Sequence, residues 1–355
     1  MMGWFCKATR EAKREIKTKG SSNTNVRRWF CLPFGTGRSS NSRIWHDPSV
    51  SSSPHLRPIR QFSLAELKRA THNFNNILAD DNDNFTIYRA QLPHMEFVRV
   101  RRTNLENRGT LEQFLSELKV LSSVHHRNLV SLVGFCQEGG EHLLVYEHVE
   151  GTLSEYLHDP HHPGNPLSWT KRLDIALGVA RGLSHLHAHG DPPIVHRNMK
   201  SSSILLNCKL VPKVSEVGLS RQMTEGTEQT RETQGYLPPE HYATGTCSDK
   251  SDVYAFGVVL LEILTGMKSF DRERFQHRQK VLLVDLVRSA YNQRGWRTVR
   301  RKVDPHIRND AYDSSQKRFL QIAMDCLEED RVKRPTMRDV TNRLEELVQR
   351  RPSDP

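Results

Sequence analysis

Apolar positions along the chain change their spacing as the sequence proceeds. Over residues 1–60 there is no sustained period: Lys13-Arg14 and Arg27-Arg28 alternate with Ser-, Asn-, Pro- and Gly-rich stretches such as 49–54, which reads as a basic flexible tail. From Phe62 the texture becomes regular. Ser63 is placed to cap a short helix carrying Leu64, Leu67 and Ala70, with Phe74 following. Phe97 to Val100 and Leu143 to Tyr146 read as strands around a helix over 110–122. Beyond residue 150 the helical period takes over. The stretch 169–187 puts Leu173, Ala176, Val179, Ala180, Leu183 and Leu186 on one wide face, and 252–264 is apolar nearly all round, as a buried helix is. A last amphipathic helix over about 336–348 follows Pro335 and carries Val340, Leu344 and Leu347. The order is a small strand-rich lobe, about 75–148, then a larger helical lobe, about 149–350, with 351–355 as a terminal tail. No internal repeat appears at solenoid periods.

Composition changes this picture mainly by what it excludes. The 355 residues, 36% of them hydrophobic, are enough to close a large core. The net charge of +11 resembles a nucleic-acid signal until it is located: residues 1–60 carry 12 Lys/Arg against three acids, leaving only +2 for 61–355. A DNA-binding domain would carry its stripe on a folded element, so nucleic acid is not an expected partner. Six scattered cysteines form no CxxC pair and suit a reducing compartment. The longest apolar stretch, Ala255 to Leu261, is interrupted by Glu262, far short of the ~20 residues that span a bilayer. The expected location is cytoplasmic, peripheral at the plasma membrane if the basic tail binds an anionic surface.

From Phe62 to about Gln349, roughly four-fifths of the chain, the sequence resembles the plant receptor-like and receptor-like cytoplasmic serine/threonine kinases. Eight segments carry the resemblance in order: FSLAELKRATHNF, HHRNLVSLVGFC, LLVYEHVEGTL, IVHRNMKSSSILL, KVSEVGLS, GYLPPE, SDVYAFGVVLLEILTG and RPTM. The resemblance implies an α+β, bilobal protein-kinase-like fold. It also implies that Glu240 pairs with Arg334, that Asp252 anchors the catalytic loop, and that Leu132, Leu121, His196 and Val217 form an apolar column linking the lobes.

The same resemblance implies that the chemistry is altered at almost every step. In the family a glycine-rich loop lets backbone amides approach the nucleotide phosphates. The aligned stretch here is Asp80-Asp81-Asn82-Asp83-Asn84-Phe85, without a glycine. Its aspartates repel a triphosphate, each by up to roughly a few kcal/mol in a dry site. The phosphate-pairing lysine is replaced by Arg101, whose planar fork is no substitute for a compact ammonium even when it pairs with the retained Glu117. Strand alternation puts Arg99 on the same side as Arg101, with Val98 and Val100 opposite. Where the family has a small alanine against the adenine, Arg99 is expected to fill part of a pocket completed by Tyr146, Val149 and Leu205. The proton-accepting aspartate is Asn198, a neutral amide that cannot act as a base. The metal-binding asparagine is Ser203, and the metal-binding aspartate is Glu216, one methylene longer. Lys200, His196 and Gly218 are retained.

The expectation is a pseudokinase without a cofactor, acting as a scaffold or allosteric regulator of active receptor-like kinases or their substrates. The alternative is a low-activity ATP-dependent serine/threonine kinase with weak ATP and Mg²⁺ binding through Glu216. A decoy whose modification another receptor senses belongs to the same binding class. Thr224, Thr227, Thr230 and Thr233 are candidate sites for phosphorylation in trans, which Arg197 is placed to meet. In the tail, Gly3 and Cys6 suggest acylation, although Lys7 and Trp4 fit a myristoylation signal poorly; Cys6 or Cys31 with the basic pairs suits palmitoylation and anionic lipid better.

Overall fold

The computed structural model describes residues 44–45, 59–81, 85–93, 97–104, 110–162, 166–190, 193–217, 235–245, 247–271 and 282–350. All lie within the compact unit Ser42–Pro355. The strands β1 (Ile44–Trp45), β2 (Ile59–Gln61), β3 (Ile77–Asp81), β4 (Phe85–Gln91), β5 (Phe97–Thr103), β6 (Leu132–Glu138) and β7 (Glu141–Tyr146) form one sheet in the order β1-β2-β6-β7-β5-β4-β3. Strand β2 runs parallel to β6, and the other neighbours are antiparallel.

Period-two alternation splits the sheet residues between two cores. Val98, Val100, Leu143 and Val145 pack with Phe62, Leu67 and Ala70 of the helix α1 (Leu64–Ala70) and the residues leading into it. Phe135, Leu144 and Tyr146 turn the other way, into the core shared with Phe114, Leu118 and Leu121 of α2 (Thr110–Ser123). Ser63 caps α1 as expected, its side chain accepting from the Glu66 amide at 3.2 Å.

The flexible-tail expectation through residue 60 is corrected at its end. Ile44 and Trp45 pair with Arg60 and Ile59, and Ile59 is buried in the main core. Close approach makes this possible: at Gly134, opposite Arg60 in β6, a Cβ would lie 2.2 Å from the Arg60 carbonyl oxygen and 2.3 Å from the Phe62 ring. A tail residue thus becomes a strand because a glycine in a distant strand leaves room for its backbone.

The helical lobe holds α3 (Leu153–His158), α4 (Trp169–Ala188), α5 (Pro239–Thr244), α6 (Asp249–Thr265), α7 (Leu283–Arg294), α8 (Trp296–Val299), α9 (Asp313–Cys326) and α10 (Met337–Gln349). A small antiparallel sheet β10-β9-β8, formed by Gly151–Thr152 (β8), Ile204–Leu206 (β9) and Pro212–Val214 (β10), lies beside them. Helix α6 is buried from Ser251 to Thr265, which is why its sequence has no polar face. Each of its large apolar side chains contributes about 1.5–3 kcal/mol on burial. Two acids on this helix are also buried, and both are fully engaged. Glu262 accepts from Tyr236 Oη at 2.8 Å and Ser201 Oγ at 3.3 Å; Asp252 holds the loop described next. Among the described residues no helix is long and apolar enough to cross a membrane.

Candidate active site

The site is assembled where β5, α2, the connection between the lobes and the loop after α4 converge. Strand β5 presents Arg99 and Arg101 on one side, with Val98 and Val100 buried on the other. Arg101 Nη1 donates to Glu117 Oε2 at 2.5 Å, with side-chain exposures of 4% and 1%, too low for water to screen the pair. The second oxygen of Glu117 accepts from Tyr146 Oη at 2.7 Å. Burial pushes the Glu117 carboxyl up while Arg101 and Tyr146 pull it back, and burial pushes the Tyr146 phenol well up. Phe85 closes over this group, its ring centroid 5.0 Å from the Arg101 guanidinium carbon.

Arg99 takes a different course. Its Nη2 donates to the carbonyl oxygen of Val149, in the segment between β7 and β8, at 3.0 Å. Burial pushes the Arg99 guanidinium down from its ordinary value, with Glu155 and Glu150 opposing. Leu205 on β9 is half-buried against the main core. Asp80 is exposed and accepts from Thr86 Oγ1 at 2.8 Å.

Across the cleft, Asp252 accepts from the backbone amides of His196 at 2.7 Å and Arg197 at 2.8 Å. His196 is completely buried, and burial lowers its pKa. Its Nδ1 accepts from the Asn198 amide at 3.3 Å and its Nε2 meets the Ser215 carbonyl at 2.7 Å, which fixes a neutral ring carrying its proton on Nε2. This frame holds the next residues in place. Asn198 Nδ2 donates to Glu216 Oε2 at 2.7 Å. A carboxylate only accepts, so the NH₂ end of the amide is the one that faces it. Glu216 has φ +60° and Arg197 φ +68°, left-handed backbone that L-residues adopt at a cost of roughly 1–3 kcal/mol and that aims the Glu216 side chain back at Asn198. Ser203 Oγ donates to the Lys200 carbonyl at 2.8 Å and accepts from the Lys200 amide at 3.1 Å, so its proton and one of its two lone pairs are used on backbone. The Lys200 ammonium makes no hydrogen bond or ion pair among the described residues.

The family model for protein tyrosine and serine/threonine kinases matches residues 86–344. The chain belongs to this kinase family. A probable serine/threonine-protein kinase of Arabidopsis thaliana, PBL25, is 36% identical over 293 residues, covering 80% of this chain and 76% of the relative. A probable receptor-like protein kinase of the same plant is 37% identical, covering 97% of this chain and 41% of the relative. Protein BRASSINOSTEROID INSENSITIVE 1, also from Arabidopsis thaliana, is 33% identical, covering 95% of this chain and 28% of the relative. The chain therefore spans well under half of the receptor kinases it matches and about three quarters of PBL25. Within the family it is of the plant receptor-like and receptor-like cytoplasmic serine/threonine type.

Several kinase positions named from sequence are brought together. Arg101, Glu117 and Tyr146 form one buried cluster, Asn198 meets Glu216, and Arg99 meets Val149. Ser203 points to backbone and is not brought to Glu216. The Glu240–Arg334 pair is bidentate at 2.6 and 2.7 Å. Leu121, His196 and Val217 are buried, and Leu132 is half-buried against the same core. Asn82, Gly218, the four activation-segment threonines, and Gly3, Cys6 and Cys31 lie outside the described residues. Sequence reasoning missed two bonds: the Asn198–Glu216 link and the reach of Arg99 to Val149. The first left one signal in the sequence, an amide and a carboxylate able to bond, but their meeting depends on the fold. The second required knowing which rotamer a long side chain adopts. Among the described residues no group of three His, Cys, Asp or Glu is arranged to hold a metal ion.

Proposed function

We propose that this kinase-family chain is a pseudokinase that acts by docking to active receptor-like kinases or their substrates. The observation that carries the reading is the Asn198–Glu216 hydrogen bond, 2.7 Å long. A neutral amide stands at the position of the proton acceptor, and it occupies an oxygen of the one acid left at the metal-binding positions. The donor set fits a magnesium nucleotide poorly: Ser203 Oγ is bonded to backbone through its proton and one lone pair, Arg99 lies against the Val149 carbonyl, and residues 80–85 carry carboxylates and no glycine.

What remains intact is scaffold. The buried Arg101–Glu117 pair, the Asp252 anchor and the Glu240–Arg334 pair preserve a kinase-shaped surface. Function then resides in that surface, at the inner face of the plasma membrane if the basic tail engages anionic lipid.

The test is radiolabel transfer from ATP to a general acceptor protein, with Mg²⁺ and separately with Mn²⁺, comparing wild type with Lys200→Ala. No transfer above the buffer blank is expected from either protein. Loss of the base alone lowers phosphoryl transfer by about a hundredfold or more. Transfer by the wild type that Lys200→Ala abolishes would overturn the reading in favour of a low-activity kinase using Glu216.

A further inference from the structure

We propose that the turn after α7 is an anion-recognition surface, and that its occupant is a phosphorylated segment of a partner protein. Residues 294–308 hold six Lys/Arg against one acid, Asp304. The rest of 61–355 is three charges net negative, so the positive charge of the folded domain is concentrated here. Asp304 does not neutralise the cluster: it is buried and accepts from Arg172 Nη2 at 2.5 Å.

Local geometry sorts the side chains by direction. Helix α8 runs directly into a single 3-10 turn over Arg300–Lys302. Val299 and Val303 are fully buried and face inward. Trp296 and Arg300, four apart, reach the same oxygen, Asp313 Oδ1, at 2.9 and 2.8 Å. Arg297 and Arg301 are the next pair four apart, so they form the neighbouring stripe, and both are exposed. Arg308 is folded onto this turn, its Nη2 donating to the carbonyls of Arg301 at 3.0 Å and Val303 at 2.5 Å.

Arg308 and Arg300 have structural roles, one capping the turn and the other paired with Asp313. Arg294, Arg297, Arg301 and Lys302 have none: their side chains make no hydrogen bond or ion pair among the described residues. Like charges four residues apart on one stripe repel one another, and among the described residues no carboxylate pairs with these four side chains.

The composition of the surface selects its occupant. Three of the four cations without a structural role are arginine, whose planar fork binds phosphate and carboxylate in two-point fashion, whereas attraction to a bilayer does not distinguish arginine from lysine. A bilayer surface also favours a projecting aromatic anchor. Here the Trp296 indole is half-buried and bonded to Asp313.

This surface assigns a partner class to the docking reading above, yet its test is separate: radiolabel transfer reports on the cleft, and peptide binding reports on the patch. The experiment measures binding of the full chain to a fluorescent Gly/Ser peptide carrying two phosphoserines, to its unphosphorylated counterpart and to phosphatidylserine vesicles. Arg297→Glu with Arg301→Glu is compared with Lys317→Glu with Arg318→Glu, the same charge change at exposed positions of α9. The phosphopeptide is expected to bind at least about tenfold more tightly than its counterpart, and the patch variant to lose about tenfold or more while the α9 variant does not. The melting point of the patch variant should not fall, because the reversal removes repulsion. Equal binding of the two peptides, no loss in the patch variant, no binding at all, or patch-dependent binding to vesicles alone would overturn the proposal.

Discussion

Arg334→Ala is expected to destabilise the fold by about 3–5 kcal/mol, a large part of the stability of an ordinary domain. The Arg334 side chain is fully buried, and all five of its N–H donors are used. Nη1 and Nη2 each take one Glu240 oxygen, at 2.6 and 2.7 Å. The remaining three go to the carbonyls of Glu328 at 2.7 Å, Lys250 at 3.0 Å and Glu329 at 3.3 Å. The guanidinium also lies 5.0 Å from the Tyr254 ring centroid. Alanine leaves a partly buried carboxylate and three carbonyls without donors, so the effect exceeds that of an ordinary ion pair. Urea unfolding should show a lowered midpoint with an unchanged slope. Arg343→Ala is the control: its pair with Asp325 is about one-third exposed on each side, and its loss should stay below about 1 kcal/mol. If the two variants differ by less than the error of the extrapolation, the tie between the two segments is not what holds this lobe together. The pair also has a pH signature. Burial pushes the Glu240 carboxyl up, but the Arg334 hydrogen bonds, a backbone hydrogen bond and the charges of Arg334 and Arg331 together more than offset this and hold it below the usual carboxylate range. Its contribution is therefore fully present above the ordinary carboxylate pKa and is lost as pH falls through the depressed folded value. Glu240→Gln should flatten that acid limb.

Arg99→Ala is expected to bind adenosine, and the wild type is expected not to. Arginine at this position has its head group on the Val149 carbonyl and its stem across the space between β5 and the inter-lobe segment. Alanine frees the carbonyl and the volume together, and leaves the Arg101–Glu117 pair untouched. A ligand that binds only the folded form at about 100 times its Kd stabilises by about 2.7 kcal/mol, which for a domain of this size raises Tm by roughly 4–5 °C. Adenosine is the appropriate ligand because it tests the base pocket without bringing phosphates against Asp80. ATP should shift the variant less than adenosine does, because of that carboxylate. An ATP-dependent shift in the wild type equal to that in Arg99→Ala would show that Arg99 does not guard the pocket.

Much of the architecture is readable in the sequence, and the particular elements show why. Helix α6 announced itself because a helix buried on every side has no polar face to write. The alternation of β5 was equally plain: Val98 and Val100 had to face one way and the two arginines the other. The last helix, placed at about 336–348, spans Met337–Gln349, its start marked by the Thr336 and Asp339 capping box. The strands at Ile44 and Ile59 were not readable, because a two- or three-residue strand leaves no period and its pairing depends on a glycine in β6. The basic turn after α7 was concealed for a related reason: a charge total for residues 61–355 averages its cations against acids elsewhere on the surface.

Sequence by itself determined which functional groups are present: an amide at Asn198, an acid at Glu216, guanidinium groups at Arg99 and Arg101, and no glycine over 80–85. Those are properties of single positions, and no folding changes them. Tertiary structure alone decided what those groups do with one another. The distances of 2.7 Å between Asn198 and Glu216 and 3.0 Å between Arg99 and Val149 join residues 18 and 50 positions apart. A hydrogen bond is set by a few tenths of an ångström and by rotamer, and only the packed chain specifies either.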